Sequence, residues 1–104
     1  MKDVRLMLGL LSVAALSGTA AAAPTKLKGH QYAAEAKISL ATARQTALKA
    51  RPGKITDQEL EKEKGGSGLR YSFDITSHGK PYEVGIDARS GAILENVAES
   101  KTPD

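Results

Sequence analysis

Leu69, Tyr71, Phe73 and Ile75 alternate with Arg70, Ser72, Asp74 and Thr76. This strict period of two constrains the fold more than any other feature of the chain, because it places one apolar and one polar face on an extended strand. Ser77-His78-Gly79-Lys80 is rich in turn formers, and beyond it Tyr82, Val84 and Ile86 alternate with Glu83, Gly85 and Asp87. Two alternating runs joined by so short a turn pair antiparallel, since a parallel pair needs a crossover of about a dozen residues. Asp87-Ala88-Arg89-Ser90-Gly91 forms the next turn, and Ala92 to Val97 supplies a last short strand with Ile93, Leu94 and Val97. On the upstream side, Thr56 to Lys64 is polar, with Ile55 and Leu60 as its main apolar residues. It is expected to be an edge strand guarded by charge, followed by the flexible turn Gly65-Gly66-Ser67-Gly68.

Ser39 to Ala50 has a different period. Leu40, Ala43, Ala47 and Leu48 share one helical face, and Arg44, Gln45 and Lys49 lie largely away from it. Ser39 is placed to cap the helix through its hydroxyl, with Ile38 as a hydrophobic staple before it. Pro52-Gly53 ends the helix. Gln31 to Lys37 is expected to form a short lead-in helix. One helix followed by short, hairpin-connected strands predicts an α+β fold, with a main helix packed on an antiparallel sheet of three to four strands. The expected core is Leu40, Ala43, Ala47, Leu48, Leu60, Leu69, Tyr71, Phe73, Ile75, Tyr82, Val84, Ile86 and Ile93.

The N-terminus reads as a separate device. Lys2 and Arg5 precede an apolar stretch from Leu6 to Leu16, which gives way to Ser17-Gly18-Thr19 and the alanines 20 to 23. A basic start, a short apolar segment and a small-residue site describe a secretory signal peptide, with cleavage expected near Ala22. The strongly apolar part is too short to span a bilayer, so no transmembrane anchor is expected after cleavage. The resulting division is a signal peptide over 1–22, a mobile mature N-terminus over 23–37, a folded domain over 38–98 and a disordered tail over 99–104. The product is expected to be exported, either periplasmic or secreted. With no cysteine in the 104 residues, neither a disulfide nor a lipid-bearing Cys is available. The formal charge of +3 includes a net +1 from the leader, which leaves a mild excess on alternating acids and bases. No basic patch is interleaved with aromatics, so nucleic acid is not an expected partner.

The order of these elements and their particular residues resemble the PepSY domain over Ile38 to Val97. The resemblance rests on Ile38-Ser39-Leu40 with Ala43 and Ala47-Leu48, then Pro52-Gly53-Lys54-Ile55, then Glu59-Leu60-Glu61-Lys62-Glu63. The most recognisable piece is the run Tyr82-Glu83-Val84-Gly85-Ile86-Asp87-Ala88-Arg89-Ser90-Gly91, followed by Ala92-Ile93-Leu94. It has the physics of a hairpin: Tyr82, Val84 and Ile86 line one face, Asp87 is placed to accept from turn N–H groups, and Gly91 supplies a positive φ. Gly85 departs from the pattern, where a strand former fits better; it marks a bulge or a close approach. The resemblance implies a small exported module, akin to domains in the propeptides of secreted metallopeptidases, that inhibits or regulates a peptidase outside the cytoplasm.

The residues themselves offer no catalytic set. His30 and His78 have no neighbouring ligand at metal spacing, so no metal or other cofactor is expected. Ser72, Ser77, His78 and Asp74 are close in sequence, but Ser72 and Asp74 belong on a solvent face without a cleft. Glu59, Glu61 and Glu63 share a face on a regular strand and read as a solvated edge. Gly65-Gly66-Ser67-Gly68 lacks the Lys-Ser/Thr ending of a phosphate loop. The expected function is therefore a binding module and not an enzyme, with an exported peptidase as partner. Its expected contact surface is the polar sheet face and hairpin, comprising Arg70, Ser72, Asp74, Thr76, His78, Lys80, Glu83 and Asp87. The alternative is a structural or small-ligand protein of the cell envelope, drawn to anionic surfaces by its lysine-rich N-terminus. The sequence leaves the oligomeric state open.

Overall fold

The computed structural model describes residues 24–99. The expected signal peptide lies outside the described residues, as does the expected tail beyond Glu99. A 3-10 turn at His30–Glu35 precedes helix α1 (Leu40–Ala50). Strands β1 (Lys54–Lys62), β2 (Leu69–Ser77), β3 (Lys80–Asp87) and β4 (Ile93–Ala98) follow, forming one antiparallel sheet in the order β1-β2-β3-β4. The expected α+β class is the one observed.

Ser39 caps α1 as its sequence position dictates, its hydroxyl accepting from the Thr42 N–H at 3.1 Å. Ala43 and Ala47 are fully buried, and these small side chains let the helix lie close on the sheet, over β2 and β3 and reaching β4. Beneath it sit Leu69, Tyr71, Phe73 and Ile75 of β2 and Val84 and Ile86 of β3, with Leu60 and Ile55 of β1. The Tyr71 hydroxyl donates to the Ile38 carbonyl at 2.9 Å, so the one polar atom of that buried ring is satisfied. Leu40 and Leu48 pack on this core from its rim. Ile93, expected in the core, is instead 52% exposed, because β4 is the outer strand and α1 does not cover that end of it.

Two bulges break the period of two. In β1 the register shifts between Ile55 and Asp57, so both Ile55 and Leu60 face the helix although their numbers differ in parity. In β4 it shifts at Ile93 to Glu95, which carries Glu95 and Val97 to the opposite face from the one a regular count from Ile93 gives.

The segment from Pro24, expected to be mobile, is bonded to the sheet. Lys28 bridges Glu59 in parallel fashion, with the Leu60 N–H donating to the Lys28 carbonyl at 2.8 Å. The fully buried Gln58 amide donates to the Pro24 and Lys26 carbonyls at 2.9 and 3.0 Å. Gly29 is required here: a Cβ would overlap the Leu60 carbonyl, and its φ of 83° is in the left-handed region. The strap thus covers the outer edge of β1, and at the other end of the lead-in the Lys37 and Ile38 N–H groups both donate to the Ala88 carbonyl.

Candidate functional site

The sheet face away from α1 carries the polar half of each strand. The register sets its side chains in cross-strand rows, three of which carry the acids. Asp57, Asp74, Glu83 and Val97 form one; Glu59, Ser72, Gly85 and Glu95 the next; Glu61, Arg70 and Asp87 the third. Lys54, Thr76 and Pro81 form a fourth. This face is overwhelmingly acidic. The expected contact surface recognised Asp74 and Glu83 on it, but not Asp57 or Glu95. Alternation through Asp57, Glu59 and Glu61 points to the first; the bulge in β4 conceals the second.

Three of the eight expected contact residues are not available for contact. Arg70 is 7% exposed: it lies across Gly85 and donates to Glu95 Oε1 and to the Lys64 carbonyl, both at 3.1 Å. Gly85 stands at the register shift between β3 and β4, the bulge that is one of its two expected readings, and a Cβ there would also stand 3.1 Å from Arg70 Nη1. Ser72 is buried beside it, donating to Glu61 at 2.7 Å. Side chains long enough to lie flat on a sheet cover their neighbours, and the period-two rule does not see this.

Asp87 is the third, and it is a structural clamp. Its carboxylate accepts from the Ser67, Arg89 and Ser90 N–H groups and from the Ser67 hydroxyl, at 2.6 to 2.9 Å. It therefore ties the β1–β2 loop to the β3–β4 turn. Burial alone would raise this carboxyl, but the four donors outweigh it and hold it far below the usual carboxylate range. Gly91 has the expected positive φ, 83°.

Asp74 and Glu83 stand directly opposite one another and are half-buried. Partial burial raises the Asp74 carboxyl, with Glu99 and Asp57 adding to it; burial raises Glu83, with Glu95 and Asp74 adding. Asp57 is matched by Lys28 at 3.1 Å and Glu95 by Arg70. Like charges directly opposite on a sheet oppose folding. The pair is therefore a feature the fold carries at a loss in stability. Thr76, His78 and Lys80 are exposed at the adjoining hairpin, where His78 and Gly79 both take positive φ, 51° and 79°.

Catalytic geometry is not found among the described residues. The Ser72 hydroxyl is committed to Glu61 and that of Ser77 to the Pro52 carbonyl at 2.6 Å. No group of three or more His, Asp or Glu there is placed to hold a metal ion, and no helix there is long and apolar enough to cross a membrane.

The sequence model of the family described as "Peptidase propeptide and YPEB domain", PepSY, matches residues 37–96. No curated protein and no solved structure matches the chain. The matched span runs from the docked lead-in of α1 to the middle of β4, and so takes in the helix, the four-stranded core and the Asp87 clamp.

Proposed function

The chain belongs to the PepSY family, and from that premise we propose that it is an exported, non-catalytic binding module that inhibits or regulates a peptidase outside the cytoplasm. The observation that carries this reading is the family match across the domain, whose own description couples it to peptidase propeptides. The signal-peptide pattern of the leader supports export. The contact surface is the open sheet face with its hairpin, through Asp74, Thr76, His78, Lys80 and Glu83; Arg70, Ser72 and Asp87 hold it in shape. An acidic face suits a basic rim on the partner and disfavours the alternative of docking on an anionic envelope surface. The test is to titrate the mature domain, from Ala23 onward, against each exported peptidase of the same cell. Saturable slowing of one of them at micromolar domain is expected. If every peptidase keeps its full rate, the reading fails.

A further inference from the structure

The two edges of the sheet are treated differently. The outer edge of β1 is occupied by the chain's own strap, and the strap brings a lysine: Lys28 pairs in parallel with β1 while its ammonium meets Asp57 on the open face. The outer edge of β4 has no such cover among the described residues. The Glu99 N–H donates inward to the Pro81 carbonyl at 2.9 Å, and ladder bonds alternate along a strand, so Glu95 and Val97 also bond inward. Asn96 and Ala98 therefore direct their backbone N–H and C=O groups outward. Two apolar side chains flank them, Ile93 at 52% and Val97 at 47% exposure. On the open face beside this edge stand Glu83 and Glu95, with Glu99 following the strand; among the described residues Arg70 is the one base paired there, with Glu95. Ile93–Ala98 carries neither a lysine nor a proline; its bulge and Glu95 guard only its start and leave the outward groups of Asn96 and Ala98 open.

We infer that the β4 edge is a strand-addition site for an extended segment of another protein, one that alternates apolar residues with lysine or arginine on the open-face side. Its backbone pairs with Asn96 and Ala98, its apolar side chains cover Ile93 on the helix side, and on the open face its cations lie over Val97 beside Glu83. The strap on β1 is the same arrangement built within the chain. A second copy of this protein fits the edge poorly: two-fold antiparallel pairing about Val97 sets Glu95 against the twin's Glu99, adding acids to an acidic face. This inference does not depend on the partner's being a peptidase.

The probe is a short synthetic peptide of alternating valine and lysine, compared with one of alternating valine and glutamate. The lysine peptide should bind and slow hydrogen exchange at the Asn96 and Ala98 amides, while the glutamate peptide binds about tenfold more weakly or worse. Binding should also fade in ~1 M salt, where charges are screened beyond ~3 Å. Ala98→Pro removes one outward N–H without touching the β3 ladder, and Val97→Lys places a cation beside Glu83 at an exposed position. Each should weaken the lysine peptide about tenfold while the melting temperature stays close to that of the parent. Equal affinity for both peptides would overturn the inference, as would protection confined to other strands. Protection of Asn96 and Ala98 in a self-associated form without peptide would also overturn it, and would assign the edge to a second copy.

Discussion

The two faces of the sheet are built on opposite rules. On the side of α1 the buried side chains are apolar, or polar with a partner as Tyr71 has in Ile38; Gln58, beneath the strap, has its amide N–H groups matched but not its side-chain oxygen. On the open face, carboxylates are lined up across strands, Asp74 against Glu83, and a single buried arginine is stretched over a glycine to hold the face together. One face is organised for stability alone. The other tolerates repulsion, which is the usual mark of a surface kept for something besides folding.

That contrast can be broken first at its apolar side. Phe73 is fully buried at the centre of β2. Phe73→Ala should lose roughly 3–5 kcal/mol, comparable to the whole stability of a small domain. Denaturant unfolding would read this, and an unchanged midpoint would remove Phe73 from the core.

The next effect is at the clamp. Asp87→Ala strands three backbone N–H groups and a hydroxyl in the two turns, at a loss of roughly 3 kcal/mol. The pH dependence sharpens the point. Because the folded carboxyl is held below its unfolded value, its contribution is complete above the ordinary carboxylate range. It drains as pH falls through that range and below. Thermal melts of the parent should therefore decline in acid more steeply than those of the variant; parallel profiles would deny Asp87 its role.

Arg70→Met tests what holds the open face flat. It removes the donors to Glu95 and to the Lys64 carbonyl and should lose about 1–3 kcal/mol. No loss in urea unfolding would mean that the arginine merely covers Gly85.

The smallest expected effect has the opposite sign. Asp74→Asn with Glu83→Gln relieves the cross-strand repulsion and should stabilise the domain by a few tenths to about 1 kcal/mol at neutral pH. Both carboxyls are raised in the folded state, so their charged forms oppose folding above their folded values and cease to do so in acid. The gain should accordingly vanish as pH falls below the ordinary carboxylate range. A gain that persists there would have another cause than charge.

The helix face was legible because its signals are local and redundant. The period of two in β2 and β3, the helical spacing of Ala43 and Ala47, and the Ser39 cap all describe neighbours in sequence. The open face was legible only in outline. Its register with β1 and β4 depends on two bulges that no periodicity announces, and these hid Ile55 from the core and concealed Glu95; Ile93 is exposed because β4 is the outer strand, which no local pattern tells. Burial of Arg70 and Ser72 arises from partners 25 and 11 residues away in sequence. The strap from Pro24 was likewise invisible, since its backbone is held by the backbone and the Gln58 side chain of a strand about 30 residues downstream.

The most direct test compares two columns, one bearing the mature domain and one the Asp74→Asn, Glu83→Gln variant, loaded with the same extract of envelope and secreted proteins. The account predicts that the first retains a peptidase which the free domain slows, and that the more stable variant retains and slows it markedly less. Equal retention and equal slowing by both would show that the acidic face is not the working surface. Retention of no peptidase by either would contradict the account at its root.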